Sequence, residues 1–331
     1  MSHSIIVLGA GAWGTALAIV LARNGHRVFL WSIDPKHVQQ MQATRHNFPY
    51  VPNSHFPENL SPISELLPAL TSVQEILLAV PSHAFRETLL KISTHLPNDI
   101  GICWATKGLE YDSGLLLDHL AREIIGESHP LAVLSGPSFA AEVVASLPTA
   151  VTIASNSSDY AEKLVYLFHN PVFRPYSSTD MVGVQLGGAV KNVMAIAAGI
   201  TDGLQLGANT RAALITRGLA EMVRLGVALG GEIETFMGLA GLGDLVLTCT
   251  DDQSRNRRFG YALATGQSSQ QAQQQIGLIE GMYAAREIQR LARRLDVDMP
   301  LVTQVCRILQ DECTPQDAVQ LLLSRELKRE Y

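Results

Sequence analysis

Residues 5–14 read IIVLGAGAWG, an apolar run that breaks into a glycine turn. Ile5–Leu8 predicts a buried strand. Gly9-Ala10-Gly11-Ala12-Trp13-Gly14 then fits G-x-G-x-x-G at the mouth of an amphipathic helix closing at Asn24–Gly25. The three glycines serve different mechanical ends, which are a tight turn, approach of the backbone to a pyrophosphate, and close contact between helix and strand. The helix start offers free amides to the anion. Alone the hexapeptide is a weak signal for a dinucleotide; its βαβ context gives it weight. A purely structural glycine turn is the rival reading.

Working outward, Val28–Trp31 predicts the second strand, whose end should carry the residue that reads a ribose. That end is Trp31-Ser32-Ile33-Asp34, and Asp34, lying late and before Pro35, equally fits a helix N-cap. Ile76–Val80, Ile102–Ala105, Leu131–Leu134 and Ala150–Ala154 read as further strands alternating with helical stretches. His46–Pro62 carries Pro49, Pro52, Pro57 and Pro62 and reads as a long irregular loop, a candidate lid. From about Asp180 strand signals stop and helical periodicity broken by glycines takes over. The expected architecture is an α/β Rossmann-type doubly wound parallel sheet over residues 1–179, binding NAD(P), followed by an all-α substrate and catalytic domain over 180–331.

Composition narrows the function classes. The chain has 331 residues, 47% of them hydrophobic and only 17% charged, where about a quarter is typical. That implies a large buried fraction with room for a subunit interface, and a homodimer is the expected assembly. A net charge of −6 argues against non-specific nucleic-acid binding. Cys103, Cys249, Cys306 and Cys313 form no CxxC pair, so no metal site and no disulfide framework is expected. No uncharged run looks apolar enough to span a bilayer, and the start does not read as a signal peptide, which makes a cytoplasmic setting the default.

Lys191 is the one charge between Met181 and Thr201, in MVGVQLGGAVKNVMAIAAGIT. Buried lysines are rare without a partner, and desolvation lowers the pKa of an ammonium towards that of a proton-transfer group. Gly187 and Gly188 lie four and three residues earlier, which would leave the surface beside the lysine bare for a ligand. A snorkelling lysine, or a charge meeting one acidic partner, is the plainer reading. All ten histidines fall between His3 and His169, so none is on hand for proton transfer in the second half.

Other candidates sit at strand ends and helix starts. Lys107 follows the fourth strand, Gly136 and Ser138 follow the fifth, and His83 reads as a helix-start residue. Gly238–Asp244 (GLAGLGD) is too rich in glycine for a helix interior, so backbone must approach something closely there, and Asp244 either orients Lys191, binds a polyol or caps a helix. Ser254-Arg255-Asn256 combines arginine with a helix start, a phosphate receptor if not a solvated basic face. Together these suggest a dinucleotide, a small phosphorylated substrate and a lysine for proton transfer.

The chain resembles bacterial-type NAD(P)-dependent glycerol-3-phosphate dehydrogenase. GAGAWGTALA, WATKGLE, LSGPSFAAEV, GVQLGGAVKNVMAIAAGI, GLAGLGDLVLTCT and SRNRRFG look like that family's segments, in that order. The resemblance implies reduction of dihydroxyacetone phosphate to sn-glycerol 3-phosphate with NADP or NAD, supplying glycerophospholipid synthesis. It would make Lys191 the general acid/base. It would put substrate contacts on Lys107, Gly136, Ser138, Asp244, Ser254, Arg255 and Asn256. Cofactor contacts would fall on Trp13, Tyr50, Lys107, Ala140, Arg255, Leu278 and Glu280, beside Gly9, Gly11 and Gly14 of the turn. Ala12 stands where the family often has serine, and Ile33 where it often has arginine or histidine, which removes a partner for the NADP 2′-phosphate. The alternatives are another two-domain dehydrogenase, of hydroxyacyl-CoA or phosphogluconate type, and a non-catalytic cofactor-sensing module.

Overall fold

The structure is a computed structural model that describes residues 2–97 and 100–326. The chain falls into two compact units, Met1–Glu110 with Leu115–Gln185, and Tyr111–Gly114 with Leu186–Tyr331. The division lies within a helix a few residues beyond the expected boundary at 179/180, and a short piece of the first half joins the second unit.

The first unit is an α/β sheet. In chain order it contains β1 (Ser4–Leu8), α1 (Ala12–Arg23), β2 (Arg27–Trp31), α2 (Pro35–Thr44), β3 (His46–Asn47), β4 (Val51–His55), β5 (Leu60–Ile63) and α3 (Leu67–Leu70). Then come β6 (Glu75–Leu78), α4 (Ser82–Ser93), β7 (Gly101–Trp104), α5 (Leu117–Ile125), β8 (Leu131–Ser135), α6 (Ala140–Val144), β9 (Thr149–Ser155), α7 (Ser158–Phe168) and β10 (Phe173–Ser178). The main sheet has the order β10-β9-β8-β7-β6-β1-β2-β5. From β1 the chain builds outward through β2 to β5, then returns to β6 on the other side, so the order reverses between β1 and β6. In such sheets that reversal marks the ligand crevice, beyond the carboxyl ends of the strands.

Two features depart from the sequence reading. The sheet is not wholly parallel, because β8 and β9 pair antiparallel and β10 follows β9 in the reversed direction. The stretch 46–62 is not an irregular loop either. It forms the antiparallel pair β3–β4, with a register irregularity between His46 and Asn47, and then enters β5 at the sheet edge. Pro62 sits inside that edge strand, a position where a missing N–H costs little.

The second unit is helical: the greater part of α8 (Met181–Gly203), then α9 (Gly207–Ala228), α10 (Ile233–Met237), a π-helical turn at Leu239–Gly243, α11 (Asp244–Thr250) and α12 (Arg255–Ala264). α13 (Ser269–Ile276), α14 (Glu280–Arg294), α15 (Pro300–Leu309) and α16 (Pro315–Leu323) complete it. By length and composition alone α8 could cross a membrane, but it carries the charged Lys191 and 94% of its most apolar window is buried within the protein. Val190, Val193, Met194 and Ile196 are fully buried, and each such side chain stabilises by about 1.5–3 kcal/mol. α8 and α12 touch backbone to backbone: a Cβ on Gly260 would lie 2.0 Å from the Ile196 carbonyl oxygen, and one on Gly199 1.9 Å from that of Arg257. This contact lets the start of α12 approach α8.

Candidate active site

The three glycines of the turn differ in what surrounds them. Gly9 has φ +116°, and a Cβ there would come 2.6 Å from the Ala79 carbonyl oxygen at the end of β6. A Cβ on Gly14 would lie 2.0 Å from the Gly9 oxygen, so only glycine lets α1 sit this close. Gly11 differs: a Cβ there meets nothing within 4 Å. Gly11 is also the N-cap of α1 and offers no side-chain capping bond, which leaves the first amides of the helix to another acceptor. An open glycine, an uncapped helix start and the reversal of strand order between β1 and β6 fit a dinucleotide pyrophosphate. Trp13 lies on the first turn of α1, half-buried, with Nε1 unpartnered among the described residues.

Further along the same strand ends, the Lys107 ammonium donates to the Gly136 carbonyl at 3.2 Å, and the Ser138 hydroxyl donates to the same oxygen at 2.9 Å. Three expected substrate contacts therefore come together beyond β7 and β8. Ala140 begins α6, and His83 lies in the first turn of α4. Tyr50, exposed in the β3–β4 turn, has its ring 5.8 Å from that of His37.

In the helical unit Lys191 does not snorkel; it is 7% exposed. Its Nζ donates to Asp244 Oδ1 at 2.5 Å and to Thr248 Oγ1 at 3.0 Å. Asp244 opens α11, immediately after the π-helical turn, and is fully buried. Thr248 lies one turn on, and its own hydroxyl proton goes to the Asp244 carbonyl at 2.6 Å, so its lone pair is left to accept from the lysine. A carboxylate and a hydroxyl thus offset the cost of burying the ammonium. The expectation of bare space beside Gly187 is corrected: a Cβ there would lie 2.3 Å from the Ala240 carbonyl oxygen. The glycine serves helix packing, and backbone of the π-helical turn fills its face.

The start of α12 divides its residues between structure and solvent. Ser254 is the buried N-cap and accepts from the Arg257 amide. Arg257 is held by Asp202 at 2.7 Å and by Asp252. Arg255 is exposed, and its guanidinium has no partner among the described residues. Asn256 is buried at both ends: it donates to Asn192 Oδ1 at 2.9 Å and accepts from the Gly281 amide at 2.9 Å. Asn192 Nδ2 in turn donates to the Gly188 carbonyl and to Glu280 Oε2, both at 3.3 Å. This amide ladder ties α8, α12 and the start of α14 together next to Lys191; Leu278 is half-buried just before that start.

Residues 4–161 match the family described as NAD-dependent glycerol-3-phosphate dehydrogenase, N-terminus, and residues 180–320 its C-terminus. The chain belongs to this family. A glycerol-3-phosphate dehydrogenase, NAD(P)+, of Methylococcus capsulatus is 54% identical over 333 residues, covering 100% of this chain and 99% of the relative. One of Bartonella quintana is 52% identical over 329 residues, covering 99% and 97%. The crystal structure of glycerol-3-phosphate dehydrogenase from Coxiella burnetii superposes with a TM-score of 0.95 at 52% identity, covering 98% of this chain and 99% of that one.

As a member of the family, the chain is an NAD(P)-dependent oxidoreductase, and nothing in these matches favours the hydroxyacyl-CoA, phosphogluconate or sensing alternatives. Sequence reasoning missed Thr248 and Asn192. Thr248 was reachable, lying one helical turn beyond Asp244 on the same face; Asn192, beside Lys191 in an apolar helix, was a polar residue in need of a partner. At the end of β2, Asp34 caps α2 by accepting from the Lys36 amide at 2.9 Å, while Ile33 is 69% exposed.

Proposed function

We propose that this chain reduces dihydroxyacetone phosphate to sn-glycerol 3-phosphate, with Lys191 delivering the proton to the C2 oxygen. The observation that carries the assignment is the buried Lys191–Asp244–Thr248 cluster in a chain of this family. Bound at the glycine turn, NADH or NADPH supplies the hydride. The Lys191 ammonium is a donor with no acceptor capacity, and it gives one of its protons to the substrate oxygen as the hydride arrives at carbon. Asp244 and Thr248 fix the direction of the nitrogen. Arg255, exposed beside free helix-start amides, receives the phosphate, with Asn256 positioning that helix start. Lys107, Gly136 and Ser138 form a second substrate-contacting group, and Trp13, Tyr50, Ala140, Leu278 and Glu280 border the cofactor. Residues 1–179 then carry the dinucleotide and 180–331 the proton-transfer machinery, in a cytoplasmic homodimer whose product feeds glycerophospholipid synthesis.

The test is a steady-state assay of the purified protein with dihydroxyacetone phosphate and NADH or NADPH in parallel. The wild type turns over, and Lys191→Ala binds cofactor but loses turnover by about 10²–10⁴-fold, the usual contribution of a positioned acid. Near-normal turnover in that variant removes the lysine from its role. Preference for an unphosphorylated ketone would overturn the substrate.

A further inference from the structure

Asn47, in the two-residue strand β3, is fully buried, and its side chain reaches the glycine turn. Its amide donates to the Ala10 carbonyl at 2.9 Å and to Thr15 Oγ1 at 2.8 Å. A carbonyl can only accept, which fixes the amide orientation and turns Oδ1 towards His37 Nε2 at 2.9 Å. That oxygen needs a donor, so the neutral His37 carries its proton on Nε2 and offers Nδ1 as an acceptor. Ser32 Oγ, at 3.4 Å, supplies the hydrogen, and itself accepts from the Asp34 amide at 3.3 Å. The result is a one-directional string from the end of β2, through α2 and β3, into the glycine turn. The Asn47 carbonyl also accepts from the Tyr50 amide at 3.1 Å, closing the turn that sets Tyr50 beside His37.

The two ends of this string are the places where a doubly wound sheet reads a pyrophosphate and a ribose. We infer that Asn47 is a positioning residue for the dinucleotide: it holds Ala10 and the first turn of α1 so that the open face at Gly11 meets the pyrophosphate, with His37 fixing the orientation of Asn47. The inference rests on the dinucleotide site proposed above. Without the amide, the Ala10 carbonyl and Thr15 hydroxyl lose their shared donor, and the turn becomes free to rotate its amides away from an anion.

The test measures NADH, ADP-ribose and adenosine binding to wild type, Asn47→Ser, His37→Phe and His37→Gln, alongside the KM for dihydroxyacetone phosphate and the Tm. Loss of one or two buried hydrogen bonds predicts NADH and ADP-ribose binding about tenfold weaker in Asn47→Ser. Adenosine affinity and the KM for the triose phosphate should stay within about twofold of wild type. His37→Phe should weaken NADH similarly, and His37→Gln, whose amide donates to Asn47 Oδ1, should recover most of the affinity. A lower Tm with unchanged NADH affinity makes Asn47 merely structural and overturns the inference, as does an equal loss for adenosine. If Asn47→Ser fails to fold, unchanged NADH binding in His37→Phe overturns it instead. Wild-type protein that binds no NADH would remove the dinucleotide site itself.

Discussion

Lys191 and Asp244 form an ion pair 2.5 Å long whose side chains are only 9% and 1% exposed, although 53 positions separate them in the chain. Such a pair is costly to break from one side and cheap to remove from both. Asp244→Asn should therefore cost about 3–5 kcal/mol by leaving the ammonium without its counter-charge. Lys191→Met combined with Asp244→Asn should regain most of that stability while turnover stays lost. Thermal denaturation and a turnover assay on the same samples separate the two effects. A double variant as unstable as the sum of the singles would mean that the pair is not an energetic unit.

Gly11 and Gly14, three residues apart, should respond in opposite ways to an added methyl. Gly14→Ala places a Cβ 2.0 Å from the Gly9 oxygen and must distort the turn, so its Tm should fall markedly. Gly11→Ala meets no protein atom within 4 Å, so its Tm should shift by no more than about 2–4 °C, while the methyl occupies the approach of the pyrophosphate and raises the KM for the dinucleotide. Cofactor kinetics unaffected in Gly11→Ala would place the pyrophosphate elsewhere.

What could be read in the sequence was local. β1 and its glycine turn declare themselves within ten residues, because an apolar run and its turn chemistry are adjacent. The strands of the main sheet that the sequence did not reveal are its two edges, β5 and β10, and each contains a proline, Pro62 and Pro175. A proline that breaks a central strand is tolerated at an edge, and edge status is a property of the assembled sheet. The antiparallel β8–β9 pairing has no signature in either strand. At the site, the segment around Lys191 left burial and snorkelling both open, and the carboxylate and hydroxyl that bury it come from a helix more than fifty residues on; the use of Gly187 was equally out of reach. The same glycine serves a ligand or a neighbouring backbone, and only the position of Ala240 decides between them.

The exposed Ile33 bears on the choice of dinucleotide. It follows β2 directly, beside an Asp34 carboxylate already engaged in capping α2. Neither side chain offers a positive group to a 2′-phosphate, and the carboxylate repels one. Ile33→Arg should lower the KM for NADPH by about tenfold, as expected for one charge-assisted contact, and change that for NADH little. Equal gains for both cofactors would reflect general charge steering, and no gain would place the determinant elsewhere.

Glu221 should make stability fall as the pH rises towards neutrality. Its carboxylate lies on α9, 1% exposed, and accepts from the Leu301 and Val302 amides at 2.7 and 3.2 Å at the start of α15. Burial is the main cause of its displaced titration; the two amides and Arg224 oppose it and Asp298 adds to it, leaving the carboxyl raised from 4.5 to about 7. Between those values the folded chain keeps a proton that the unfolded chain releases. The unfolded state therefore binds fewer protons, and stability declines with increasing pH across that window. The full effect is about 3 kcal/mol, present as a penalty above pH 7 and absent below pH 4.5. Glu221→Gln cannot ionise and keeps one oxygen, enough for the shorter bond from the Leu301 amide; the loss of the second acceptor is a cost that does not vary with pH. Relative to wild type it should thus be more stable at pH 8 than at pH 5, and melting curves of the two proteins across that range read the difference directly. A difference that does not change with pH would show that Glu221 ionises alike in the folded and unfolded chains.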